Sequence, residues 1–307
     1  MGNGNRNLGM FLKNIIYPFG YGNGGKSMSE KKFPVVFDNH MHLREDGYFM
    51  EAVREFARSG GTSFNLVNIL DYRIPPVGYY EEIYRRTLRI REKIERETDI
   101  KVLVTLGPYP LDFFFFRDAG LDPVEHMKNG LEMAARIIRD GRADAIGEIG
   151  RPHFPCDNDV LESSNALLVQ SFEFAKDLMC PVILHTEDLG ENDYIFLEKM
   201  AVKSGMDPSR VVKHHAYPHD LSFKSVLSRS ILATRPNVRQ AISSGKNFMI
   251  ETDYVDDREK PGKVIPVNSV PMRAKLIMGE YDDSDSILEN IFITTPEKVF
   301  GKSLTRR

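Results

Sequence analysis

Two histidines one residue apart close the run Phe37-Asp38-Asn39-His40-Met41-His42-Leu43. Side chains at i and i+2 of a strand point to the same face, so the imidazoles of His40 and His42 can grip one metal ion. A lone His-x-His motif is a weak signal. It gains weight from similar groups at the ends of later apolar runs: Glu148 in Ala145-Ile146-Gly147-Glu148-Ile149-Gly150, His185 in Val182-Ile183-Leu184-His185, His214 or His215, and Asp253 in Ile250-Glu251-Thr252-Asp253. Imidazole and carboxylate without thiolate suit Zn, Mn, Fe or Ni better than they suit a structural zinc site. A carboxylate between two groups of histidines can also bridge two ions.

These groups meet only if the runs are strands of one sheet that closes on itself. From Phe33 onward, short apolar runs alternate with amphipathic segments of helical period, the pattern of βα units and a parallel sheet. The runs predicted as strands are Val35 to His42, Thr62 to Leu70, Ile100 to Leu106, Ala143 to Ile149, Pro181 to Thr186, Val211 to Ala216, Ile231 to Thr234 and Phe248 to Asp253. Tyr48 to Ser59 reads as a helix stopped by Gly60-Gly61, Tyr79 to Glu97 as a longer charged one, and Asp122-Pro123 as the start of a third. Further helices are expected over Ala166 to Met179, Tyr194 to Ser204 and Asn237 to Ser243. Eight such units over residues 33–307 match an α/β (β/α)8 TIM barrel, whose sites lie at the C-terminal ends of the strands. A doubly wound open sheet is the alternative, but it would not bring the first, fourth, fifth, sixth and eighth strand ends around one point.

At 307 residues, 41% hydrophobic and 28% charged, the composition is that of a globular protein, and no apolar run is long enough for a membrane helix. Cys156 and Cys180 are too few for a disulfide framework; unpaired thiols and a reducing cytoplasm are expected. The net charge of −3 supplies no global attraction for nucleic acid, so such binding would need a local basic patch. Residues 1–32 carry repeats such as Gly20-Tyr21-Gly22-Asn23-Gly24-Gly25 and no periodic apolar face, which predicts a flexible arm.

The runs ending at His42, Glu148-Ile149-Gly150, His185 and Glu251-Thr252-Asp253 resemble the four strand-end motifs of the TatD-like metal-dependent hydrolases of the amidohydrolase superfamily. The resemblance extends from about Val35 to Gly301, and Thr295-Pro296-Glu297-Lys298-Val299-Phe300-Gly301 is similar to the family's closing helix. It implies that His40, His42 and Asp253 hold one divalent ion (Zn, Mn, Mg, Ni or Co) and that Glu148 bridges to a second, held by His185 and a sixth-strand histidine. Adjacent strand residues face opposite ways, so only one of His214 and His215 is expected to enter. His215-Ala216-Tyr217 fits the family's histidine, small residue, aromatic triplet better, and His215 is the expected ligand, although Lys213 then shares its inward parity.

A hydrolase of this kind uses metal-activated water, with Asp253 as general base. The resemblance places DNA or RNA phosphodiesters first among substrates, with phosphotriesters, lactones and amides behind; a barrel that binds metal without turnover is the competing class. Arg151, Arg235 and Arg239 lie near predicted strand exits and could bind phosphate or pair with surface acids. The sequence departs from the family at Arg151-Pro152-His153-Phe154, at Gly107-Pro108-Tyr109-Pro110 and at Phe113-Phe114-Phe115-Phe116. The first of these lies on the substrate-facing side, so the metal chemistry is more legible than the substrate. Glu251 shares the parity of Asp253 and either orients a ligand or lines a polar layer, while His153 and Cys156 lie in a loop that either reaches the pocket or stays in solvent. The Phe113 to Phe116 run reads either as a lid or partner surface, or as two rings packed under the loop and covered by the other two.

Overall fold

A computed structural model describes residues 33–260 and 264–305; the predicted arm lies outside the described residues. All eight predicted strand runs overlap strands of one parallel sheet, the seventh by two residues only: β1 (Phe37–His42), β2 (Ser63–Val67), β3 (Lys101–Leu106), β4 (Ala145–Gly150), β5 (Val182–His185), β6 (Val211–Ala216), β7 (Ser228–Leu232) and β8 (Met249–Glu251). A ninth two-residue strand, β9 (Tyr254–Val255), follows immediately. The order is β8-β7-β6-β5-β4-β3-β2-β1-β9. Because β9 pairs with β1 while only Thr252 and Asp253 separate it from β8, the chain itself joins the two ends of this order. The fold is α/β and TIM-barrel-like.

The local reasons follow the residue types. Each interior strand is covered on both faces, so β2 is buried at all five positions and β4 at all six. The helices are α1 (Met50–Ser59), α2 (Tyr79–Glu97), α3 (Asp112–Asp118), α4 (Pro123–Arg139), α5 (Asn158–Leu178), α6 (Glu191–Lys203), α7 (Arg235–Ser243), α8 (Ser269–Glu280), α9 (Ser284–Glu289) and α10 (Thr295–Phe300). Helix α1 buries Met50, Ala52, Val53 and Phe56 and ends where Gly60, at φ 109°, donates its N–H to the Ala57 carbonyl and Gly61 donates its own to Phe56. Full burial of a side chain such as Phe56 stabilises by about 1.5–3 kcal/mol relative to exposure. Asp122 caps α4 by accepting from the N–H groups of Val124 and Glu125.

Some boundaries differ from expectation. Helix α5 begins at Asn158 rather than Ala166, because Val160 and Ser164 continue its buried stripe. The phenylalanine run forms α3: Phe113 and Phe116 are buried while Phe114 and Phe115 are half-buried above them, so two rings pack beneath the other two. No helix among the described residues is long and apolar enough to cross a membrane. Cys156 and Cys180 are free thiols.

Two buried carboxylates tie the last strands to the first. Asp38 on β1 accepts from the backbone N–H and hydroxyl of Thr252 at 3.0 and 2.7 Å, across the β8 to β9 connection. Asp256, after β9, accepts from the N–H groups of Arg44, Tyr48 and Phe49 at 3.2, 2.8 and 2.9 Å and so fixes the loop between β1 and α1. Gly47 lies against that carboxylate, and a Cβ there would come within 2.3 Å of Oδ2.

Candidate metal centre

The C-terminal ends of β1, β4, β5 and β6, with the turn after β8, bring a set of donors together. His40 and His42 leave β1 on the same side, their Nε2 atoms 3.1 Å apart. Glu148 enters from β4 and divides its oxygens. Oε2 lies 3.5 and 3.4 Å from Nε2 of His40 and His42, while Oε1 lies 2.9 Å from His185 Nδ1 and 2.8 Å from His214 Nε2. Asp253 Oδ1 stands 4.0 and 3.7 Å from the nitrogens of His40 and His42. The donor atoms of three triplets, His40/His42/Glu148, Glu148/His185/His214 and His40/His214/Asp253, each fall within 4.8 Å of one another.

The sixth-strand expectation is corrected here: the structure brings His214, not His215, into these triplets. His214 is 2 % exposed, stacks on the His40 ring at 4.2 Å between centroids and reaches Glu148. His215 is not turned away as alternation demands. Its φ of 51° breaks the strand, and its half-exposed ring swings to Asp253, with Nδ1 3.2 Å from Oδ2. Asp253 has φ 48° as well, and its N–H donates to the His40 carbonyl at 3.0 Å.

The outer nitrogens of the imidazoles show how the rings are aimed. His42 Nδ1 donates to the Val67 carbonyl at 3.1 Å, which leaves Nε2 with its lone pair facing the cluster. His214 Nδ1 faces Oε1 of the fully buried Glu251 at an ion-pair distance of 3.3 Å. His185 Nε2 meets the Tyr109 hydroxyl at 3.0 Å and His153 Nδ1 at 2.9 Å. His153 is exposed in the loop after β4 yet reaches the cluster through His185, and Tyr109 is the site neighbour that the sequence motifs did not single out for a role. Its signal was the Gly107-Pro108-Tyr109-Pro110 turn at a strand exit.

Charge agrees with this arrangement. Burial alone would raise the Glu148 carboxyl, but the surrounding imidazoles of His214, His40 and His185 hold it well below the usual carboxylate range. Asp253 is likewise opposed by burial yet held down to about 2, chiefly by the hydrogen bond from His215 and then by His214 and His40. Burial depresses His185 to about 4, so its imidazole is neutral at pH 7 and carries a lone pair. Close N···N approaches of 3.1 Å, at His40/His42 and again at His185/His214, are unfavourable between bare lone pairs. A shared cation removes that repulsion, and imidazole with carboxylate is the donor set of Zn, Mn, Fe, Co or Ni. The residues present fit divalent metal.

The candidate phosphate-binding arginines are placed otherwise. Arg151 is 8 % exposed, donates to Asn165 Oδ1 at 2.9 Å and Glu187 Oε1 at 3.2 Å, and lies over the Phe196 ring. Arg235 is exposed at the start of α7, and Arg239 is bound bidentately by Glu280.

Comparison with known proteins agrees with this fold. The chain is 30% identical over 247 residues to an uncharacterized protein of Methanocaldococcus jannaschii, covering 78% of this chain and 86% of that one. Among solved structures it resembles a TatD-like protein of Archaeoglobus fulgidus (TM-score 0.59, 16% identity, 87% of this chain and 100% of that chain). It also resembles a mutant organophosphorus hydrolase of Deinococcus radiodurans (TM-score 0.60, 15% identity, 87% and 93%). At these identities the two structures speak for the fold. The family model described as TatD related DNase matches residues 37–301, and the chain therefore belongs to that family of hydrolases.

Proposed function

We propose that the chain is a divalent-metal-dependent hydrolase that cleaves phosphodiester bonds in DNA or RNA, with Asp253 as general base. The observation that carries this reading is the division of Glu148 between two histidine groups, Oε2 toward His40 and His42 and Oε1 toward His185 and His214. Those groups would hold two ions, with Asp253 added to the first and Glu148 shared. When bound, such ions supply positive charge that polarises a phosphoryl oxygen and lowers the pKa of water.

The remaining roles belong to the chain's own side chains. Asp253 Oδ2 is tethered to His215, which leaves Oδ1 facing the cluster, where it can take a proton from attacking water and later pass it to the leaving oxygen. The buried faces of His40 and Glu148 keep bulk water from the inner side of the donors. Tyr109 and His153, on the outer side of His185, face the approach of substrate. The two free thiols fit the expected cytoplasmic setting.

A small ester, lactone or amide substrate is the second reading, and a specific observation favours it. Arg151 is buried and already donates to Asn165 and Glu187, so its guanidinium does not stand free for a nucleic-acid backbone. The test is metal-dependent turnover of a single panel containing DNA and RNA oligonucleotides, a phosphotriester, a lactone and an amide, after chelation and reloading with Zn, Mn, Mg, Ni or Co. Oligonucleotide cleavage that falls steeply with salt supports the proposal. Salt-independent hydrolysis of the lactone or triester with no nuclease activity overturns it in favour of the second reading, and no turnover of any member would leave a metal-binding barrel.

A further inference from the structure

Two consecutive residues of a strand do not normally serve one site. His214 and His215 do: His214 reaches Glu148 and His215 reaches Asp253. The peptide that joins them is gripped on both sides by buried charged groups. Its carbonyl, that of His214, accepts from Lys213 Nζ at 2.9 Å. Its N–H, that of His215, donates to Glu251 Oε1 at 2.6 Å. The ladder between β6 and β7 shifts register between Lys213 and Ala216, so this peptide is free of regular pairing, and His215 takes φ 51°.

Lys213 is 4 % exposed and makes no ion pair among the described residues. Glu251 is fully buried, and its Oε2 has no hydrogen-bond partner among the described residues. An ammonium and a carboxylate are costly to bury without a direct pairing, and a histidine in the left-handed region is strained. All three features fall on one peptide. We propose that Lys213 and Glu251 are positioning residues that hold the His214 to His215 peptide turned, so that His214 is aimed at Glu148 and His215 at Asp253. Lys213 acts through the carbonyl. Glu251 acts twice, on the His215 N–H and on the outer nitrogen of His214. The consequence is that a sequence with two adjacent histidines presents both to the site, one as a donor in the cluster and one as the tether of the proposed base. This inference rests on the metal-hydrolase reading for its catalytic consequence, though not for its effect on metal affinity.

The test measures Zn affinity by chelator competition and, separately, kcat and KM on whichever substrate the panel yields. Removing a partner that orients a ligand lowers metal affinity by about 10- to 100-fold. Lys213→Met and Glu251→Gln should each show a loss of that order, and Lys213→Arg, which can still donate to the carbonyl, should recover most of it. Arg229→Met is the control for merely removing a buried cation, because Arg229 pairs with Lys213 across β6 and β7 but touches no donor. It should lower the melting temperature while leaving Zn affinity unchanged. In kcat, Lys213→Met and His215→Ala should be strongly non-additive, since both release Asp253, with KM little changed. Wild-type Zn affinity in both folded Lys213→Met and Glu251→Gln, a loss matched by Arg229→Met, or additive effects on kcat would each overturn the proposal. If Lys213→Met does not fold, Glu251→Gln and Lys213→Arg decide it on Zn affinity alone. Because Zn affinity is read without turnover, an absence of hydrolase activity would count against the proposed function and leave this inference standing or falling by itself.

Discussion

Asp112 opens α3 and is 1 % exposed, yet its carboxylate holds together the turn that aims Tyr109 at His185. Oδ1 accepts from the hydroxyls of Tyr72 and Tyr79 at 3.1 and 3.4 Å, and Oδ2 from the Tyr80 hydroxyl at 2.9 Å and the Tyr109 N–H at 3.0 Å. Burial outweighs these donors and lifts the carboxyl from 3.8 to about 7. The folded protein therefore keeps this proton to higher pH than the unfolded chain. The group's contribution to stability is complete below about pH 4 and is lost as pH rises through about 7. At 1.36 kcal/mol per unit the full loss is about 4 kcal/mol, of which about 3 kcal/mol develops between pH 5 and pH 8. Asp112→Asn is close in shape and cannot ionise, so its stability lacks this component. Urea unfolding of both proteins at pH 5 and pH 8 should show the variant gaining about 3 kcal/mol on the wild type across that interval. The metal cluster is common to both proteins and cancels in the comparison, as does any fixed offset from the amide. Parallel stability curves, or a gain by the wild type, would refute the account of this buried carboxyl.

Three further outcomes follow from the geometry. Asp253→Asn keeps size and one oxygen but removes the proton acceptor, so kcat should fall by about 10² to 10⁴ while metal content, read by mass spectrometry, changes far less. His185→Asn should instead lose activity through lost metal, and titration with excess metal should restore part of it where it does nothing for Asp253→Asn. Gly47→Ala drives a methyl into the Asp256 carboxylate and disturbs acceptance from Tyr48 and Phe49, which should cost about 2–3 kcal/mol and lower the melting temperature by several degrees without changing metal affinity.

The sequence made the strand and helix alternation legible because each βα unit carries its own periodicity, and Gly60, Asp122 and Pro123 mark helix ends by local chemistry alone. That His40, His42, Glu148, His185 and Asp253 would meet was legible for a related reason: each closes or directly follows a short apolar run. The choice between His214 and His215 was not. Strand parity forbids both, and only a turned peptide held by Lys213 and Glu251 escapes that rule. Sequence left Arg151 open between phosphate and an acidic partner, because the partners that occupy it, Asn165 and Glu187, come from α5 and the β5 exit and are remote in sequence. Tyr109 and His153 converge on one nitrogen from the β3 and β4 exits, a meeting that no local motif encodes. The two-residue strand β9 is too short to show any period.

The account stands most directly on Glu148 lying between two metal positions. Chelator-stripped protein should be titrated with Zn while bound metal is measured per chain and hydrolysis is followed on the same samples. The account predicts saturation at two ions per chain, with Glu148→Gln weakening both positions because its two oxygens serve different histidine groups. Saturation at one ion, with full activity and a Glu148→Gln variant that binds that ion normally, would contradict it.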